Sequence, residues 1–140
     1  MEPAEFEDSP GCFRDEIYLY EDGVLTDIGG LGGSDIIACR MNNSNGVVGS
    51  SQLPGDEVAH AFVYQEGRMT DLGTLGGANS RATAIDDAGI IAGGSEIGDG
   101  VLEHVFIVDD GVMRDLGAVP EEAGFVYAAD INETGTLVGM

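Results

Sequence analysis

Apolar residues in this chain come in short runs, and the runs return at a fixed interval. Ala61-Phe62-Val63-Tyr64 is echoed 44 positions later by Val105-Phe106-Ile107-Val108 and 44 earlier by Ile17-Tyr18-Leu19-Tyr20. Four strand-like segments recur in this way. Segment C covers residues 17–20, 61–64 and 105–108; segment D covers 24–28, 68–72 and 112–116. Segment A covers 36–41, 82–85 and 126–131; segment B covers 47–50, 90–94 and 136–139. No stretch carries a helical period over a helix's length. The 23 glycines would weaken a helix further.

Polar punctuation agrees with the strands. Glu21-Asp22-Gly23, Gln65-Glu66-Gly67 and Asp109-Asp110-Gly111 join C to D, each with glycine where a tight hairpin needs positive φ. The A–B links are small and polar, at 42–45, 86–89 and 132–135. The D–A links are Gly-Gly-Leu-Gly-Gly at 29–33 and Gly-Thr-Leu-Gly-Gly at 73–77. Runs such as Phe62-Val63-Tyr64 and Ile90-Ile91-Ala92 are apolar on both faces, the pattern of a sheet covered on both sides. Segment A carries Ala82, Ala84, Ala128 and Ala129, as suits a crowded innermost strand.

The chain is therefore expected to be all-β, a β-propeller of four-stranded blades about 44 residues long, with three blade-equivalents in 140 residues. The repeats divide as 17–60, 61–104 and 105–140, in the order C D A B. Residues 1–16 read as an acidic loop of the B–C type. A β-trefoil, which also uses three four-strand units, is the alternative. The Gly-Gly pairs, the two-faced strands and the absence of Trp weigh against it. Three blades do not close a ring. Pairing the last A–B hairpin of one chain with the first C–D hairpin of another gives a six-bladed homodimer.

Residues 60–95, HAFVYQEGRMTDLGTLGGANSRATAIDDAGIIAGGS, resemble the bacterial HAF-type extracellular repeats. Their pattern is roughly H-A-F-x-[WY]-x-x-G-x-M-x-D-L-G-x-L-G-G-x-x-S-x-A-x-A-I-N-x-x-G-x-V-V-G-x-S. The first repeat keeps TDIGGLGGS and MNNSNGVVGSS; the third keeps FIVDDGVMRDLG and ADINETGTLVG but loses Leu-Gly-Gly at 119–121. The resemblance implies a kelch-like propeller, a bacterial source and an extracellular setting, with no particular activity. Read without it, the N-terminus MEPAEFEDSPG has no apolar stretch of a secretory signal, and the expectation is a cytoplasmic protein if Met1 is the native start. Cys12 and Cys39 fall at non-equivalent repeat positions and are expected to be free thiols, with Cys39 filling the place that Thr83 takes in the next repeat.

Charge narrows the partners. The formal net charge is −21, with 26 acidic residues against five arginines. Nucleic acid and anionic membranes are excluded as partners on that balance, and no apolar run is long enough for a membrane-spanning helix. The acidity suits a saline habitat, a face for cations or a basic protein, or a mimic of nucleic acid.

Candidate chemistry is sparse. His60 and His104 share one repeat position, held by Glu16 in the first repeat. They read as scaffold, each imidazole bonding a backbone group at the start of strand C. Asp27, Asp71 and Asp115 also recur and are expected to accept backbone N–H bonds in the D–A turn. No catalytic residue is assigned. Two histidines are too few for a zinc cage, and the calcium-loop pattern is absent. No metal site or cofactor is expected beyond weak divalent-cation binding along the acidic rim. Residues that do not repeat gather in the B–C and D–A loops, which share one face of a propeller. Asp56, Glu57, Arg81, Glu96, Asp99 and Glu103 are the candidate ligand-binding residues there. The reading is a non-enzymatic binding or interaction module, partnered by a second copy and by a basic protein or small molecule. The alternatives are an enzyme or a glycan or small-molecule binder with a pocket at the channel mouth, and the nucleic-acid mimic.

Overall fold

Two-residue turns set the register of the first sheets. Asp22-Gly23, Glu66-Gly67 and Asp110-Gly111 all have positive φ at both residues. This turn matches the right-handed twist of the strands it joins. The computed structural model describes residues 13–14, 16–98, 103–118, 128–131 and 136–139. Among them it is all-β. The strands are β1 (Phe13–Arg14), β2 (Tyr18–Glu21), β3 (Val24–Asp27), β4 (Ile36–Met41), β5 (Val47–Gln52), β6 (Ala59–Gln65) and β7 (Arg68–Gly73). They continue as β8 (Ser80–Ile85), β9 (Ile91–Glu96), β10 (Glu103–Asp109), β11 (Val112–Ala118), β12 (Ala128–Ile131) and β13 (Leu137–Gly139).

Segments A, B, C and D pair in chain order to give two antiparallel meanders. Sheet 1 is β4-β5-β6-β7, with β1 added beside β4; sheet 2 is β8-β9-β10-β11. The β2–β3 and β12–β13 hairpins are separate two-stranded sheets, a C–D pair and an A–B pair. The described strands form separate antiparallel sheets and close no barrel. In each A strand one residue bulges, at Cys39 and Thr83, where the register shifts between Ala38 and Arg40 and between Ala82 and Ala84.

The sheets stack face to face. β8 lies against β4, β5 and β6, and its fully buried Ala82 and Ala84 permit the close approach. Val48, Ala61 and Val63 from sheet 1 share one cluster with Ile85, Ile91, Phe106 and Val108 from sheet 2. The other face of sheet 1, with Phe62 and Tyr64, packs on Ile17 and Leu19 of the β2–β3 hairpin. The outer face of sheet 2, around Ala84 and Ala92, meets β12. Sheet 1 is thus apolar on both faces because both are covered, and sheet 2 is covered on its inner face and, where β12 lies, on β8 and β9 of its outer face.

The Leu-Gly-Gly links lock each sheet from its end. Leu75 N–H donates to Ser95 Oγ at 2.8 Å, and Gly77 N–H donates to the Glu96 carbonyl at 3.0 Å. Leu75 reaches the cluster between the sheets. Gly76 has φ +115, and a Cβ on Gly77 would stand 2.6 Å from the Glu96 carbonyl oxygen. The first glycine is needed for its backbone angle and the second for its approach. Leu31, Gly32 and Gly33 repeat the arrangement against Ser51 and Gln52.

Two expectations are corrected. Residues 13–14 within the supposed N-terminal loop form β1, with Phe13 opposite Ala38 and Arg14 opposite Ile37. Cys39 is disulfide-bonded, not a free thiol. The chain's other cysteine is Cys12, which itself lies outside the described residues. Cys12 precedes a strand that is no part of the repeat, so comparing repeat positions could not reveal the bond.

The A–B turns tie sheet to sheet. Buried Asn42 accepts from Ser44 N–H and Gly46 N–H through Oδ1, and its Nδ2 donates to the Asp86 carbonyl at 2.9 Å. Asp86 takes the same position one repeat on. Its Oδ1 accepts from Ile90 N–H at 2.8 Å, but Oδ2 is buried without a partner. A carboxylate cannot donate where an amide would. Asn132 holds the position in the third repeat, outside the described residues. Asp86→Asn is expected to raise stability by about 1 kcal/mol, the net worth of one hydrogen bond. Gly77→Ala is expected to lower it by about 1–3 kcal/mol through overpacking against strand β9. Urea unfolding of both variants measures the two shifts.

Candidate functional site

At the end of the sheets where the D–A links leave, β6 begins near His60 and β7 ends near Asp71. The register of the two strands puts Phe62 opposite Asp71, with a shift between Ala61 and Phe62, so that His60 lies on the same face as the carboxylate. His60 Nδ1 lies 2.9 Å from Asp71 Oδ1 and 3.1 Å from Oδ2. His104 Nδ1 lies 2.9 Å from both oxygens of Asp115. An ionised carboxylate only accepts, so Nδ1–H donates in each pair. These bonds correct the expectation that each ring would bond a backbone group. The aspartates behave as expected: Asp27, Asp71 and Asp115 accept from the N–H of Gly29, Gly73 and Gly117 at 2.9, 2.8 and 2.7 Å. In the first repeat Glu16 replaces the histidine and accepts from the Tyr18 hydroxyl at 2.9 Å, which raises the phenol's pKa. A pair that recurs with the same geometry in both complete sheets is scaffold.

The hydrogen bond from His104, with that from Gly117 N–H, holds the Asp115 carboxyl below its usual range. The sign follows from linkage: a lowered folded-state pKa stabilises above the ordinary carboxylate pKa, and that contribution fades as pH falls through the folded value.

On the loop face, Asp56 is a staple. It accepts from Ser34 N–H at 2.8 Å and from Ser34 Oγ–H at 2.7 Å, and the hydroxyl bond first, then the amide bond, lowers its pKa. It joins the B–C loop to the D–A link before it. Glu57 beside it is exposed. Asp99 lies outside the described residues.

The remaining three candidates meet on sheet 2. Glu103 opens β10 directly across from Glu96 on β9. Arg81 on β8 reaches Glu103 Oε2 at 3.3 Å. Glu96 accepts from the backbone N–H and the side-chain amide of Asn79, and Asn79 Oδ1 in turn accepts from Ala59 N–H of sheet 1 at 2.9 Å. Glu103 Oε1 has neither solvent nor a hydrogen-bond partner. Sheet 1 carries Ile37, Gln52 and Ala59 at the corresponding positions, so this polar group belongs to the second repeat alone. In it two carboxylates outnumber the one guanidinium, and Glu103 Oε1 has capacity to accept a further hydrogen bond.

Sequence reasoning did not find the open depression of about 290 Å³ at the opposite, C–D turn end, lined by Val63, Gln65, Glu66, Arg68 and Thr70. No local motif marks it, because it is a concavity between a turn and its own strands. Among the described residues no three His, Cys, Asp or Glu side chains converge as metal ligands. Comparison with protein-family models, with curated proteins and with solved structures finds no match for this chain.

Carboxyl NMR titration is expected to place the Asp115 midpoint below the normal aspartate value. His104→Ala should move it upward, while Gly117 N–H keeps part of the depression.

Proposed function

We propose that this chain is a propeller-type repeat protein that binds a cationic or donor-rich partner on its B–C and D–A loop face. Two four-strand meanders stacked at a 44-residue repeat, each apolar on both sides, are the arrangement of successive propeller blades. The likeness of residues 60–95 to HAF repeats points the same way. The binding reading rests on one observation: Glu103 Oε1 is shielded and unpartnered in a group of Arg81, Glu96 and Glu103 that the other sheet lacks. Leaving such an oxygen unpaired costs about 1–3 kcal/mol, which an arriving N–H donor removes. Scaffold duties already occupy Asp71, Asp115 and Asp56, so they do not compete for the ligand. The fitting partner is a basic protein segment or an amine-bearing small molecule. The surrounding acidity draws it in at long range.

The setting that suits the molecule is an oxidising one outside the cytosol. A bonded Cys39 persists there, whereas cytosolic thiols stay reduced.

Calorimetric titration with an oligo-arginine peptide tests the binding reading. Glu103→Gln is expected to weaken binding about tenfold, near 1.4 kcal/mol, while Glu57→Gln on the exposed rim changes it little. Equal loss from both variants would reduce the effect to general charge and overturn the site.

A further inference from the structure

The C–D turn end of sheet 1 carries polar side chains that the fold does not use. Val63, Gln65, Glu66, Arg68 and Thr70 line an open depression there of about 290 Å³. Val63 pairs with Thr70, and Gln65 with Arg68, across β6 and β7. These four therefore share one face of the sheet. It is the face turned toward sheet 2, since Val63 lies in the cluster between the sheets. Glu66 opens the turn beside them. Among the described residues, the side chains of Gln65, Glu66, Arg68 and Thr70 make no hydrogen bond or ion pair. At the other end of the same strands, His60 and Asp71 are already bonded to each other. We infer that the depression is a second binding site, which takes a neutral, hydroxyl-rich ligand the size of one sugar ring.

The polar group belongs to the second repeat alone. Gln65-Glu66 is replaced by Glu21-Asp22 and Asp109-Asp110, and Arg68 by Val24 and Val112. Those valines are 60% and 56% exposed, so the scaffold has no need of an arginine at this position. Gly46 departs from the repeat as well. It stands across from Gln65, next to the Val47↔Tyr64 pair. Sheet 2 has Ile90 in its place, packed on Ala84 and Ala92. A Cβ on Gly46 would lie 2.8 Å from Gln65 Nε2. The glycine thus leaves room for the amide at the rim of the depression.

The lining defines the ligand. Arg68 only donates, Glu66 only accepts, and Gln65 and Thr70 do both. Val63, 9% exposed, adds an apolar floor. A sugar ring answers all of these, because each hydroxyl donates and accepts and the ring's C–H face can rest on an aliphatic side chain. Charge removes the alternatives. The net charge of −21 repels an anion that Arg68 alone would attract. Arg68 in turn opposes a cation that Glu66 would attract. The volume lies at the lower end of the range for ligand pockets, about 300–1,000 Å³. It suits one ring, with the open side leaving the rest of a longer glycan in solvent. The site is at the opposite end of the sheets from Glu103 and does not depend on the basic partner proposed there.

Amide NMR spectra of the whole chain, recorded with glucose, galactose, mannose and N-acetylglucosamine in turn, test the site. At least one sugar is expected to shift the Gln65 side-chain amide and the Arg68 and Thr70 signals saturably. Arg68→Val installs the residue of both other repeats, so the sheet signal in circular dichroism should persist. It is expected to weaken sugar binding about tenfold through the lost charged hydrogen bond. Gly46→Ala should also weaken it by displacing Gln65, while Glu103→Gln should leave it unchanged. No saturable shift from any of the four sugars, or equal binding by Arg68→Val, overturns the site. Acetate or phosphate shifting these signals where no sugar does would make it an anion site and overturn the neutral ligand.

Discussion

A four-stranded sheet with apolar side chains on both faces cannot stand alone in water, and every other feature of this molecule answers to that constraint. Phe62 and Val63 are neighbours in sequence, yet one faces the β2–β3 hairpin and the other faces sheet 2, and both are buried. At about 25 cal/mol per Å² of apolar surface, covering both faces is the main force that orders the stack. Hydrogen bonds along the strands fix direction and register, but burial decides how many layers there are.

Polar groups in the scaffold are spent on holding the layers in register. Ser51 and Ser95 receive the Leu-Gly-Gly links, Asn42 crosses to the next turn, and the histidines clamp the aspartates that close β7 and β11. Each bond is modest. Together they leave few buried polar atoms unsatisfied among the described residues, and the two that remain, on Asp86 and Glu103, stand out against a repeat that pairs the rest. Asp86 is a one-residue departure from the Asn of its neighbours. Glu103 belongs to a polar group with no counterpart in sheet 1.

Acidity shapes the exterior. Asp56 is hydrogen-bonded by Ser34 and Asp115 by His104, while Asp22, Glu66, Asp87 and Asp110 stand exposed on turns. Such a surface repels copies of itself as well as nucleic acid.

Strands β2 to β13, the hairpin turns and the 44-residue repeat were legible in the sequence because each depends on local chemistry: Gly at a positive φ, apolar runs short enough for strands, small polar turns. The recurring aspartates were legible too, since an Asp two residues before a Gly needs only its own turn to find a donor, as Asp71 does with Gly73. The histidine's partner was not. It depends on the pairing of β6 with β7, which sets Phe62 opposite Asp71. Likewise, six residues were singled out by their failure to repeat and expected on loops, but Arg81, Glu96 and Glu103 lie on β8, β9 and β10, where the register of β9 on β10 puts Glu96 opposite Glu103 within reach of Arg81. β1 and the bond at Cys39 were hidden for the same reason, because an edge strand outside the repeat is defined by what it pairs with. Local propensity and periodicity acted through neighbours in the chain; the meeting of distant side chains waited on the order and offset of the strands.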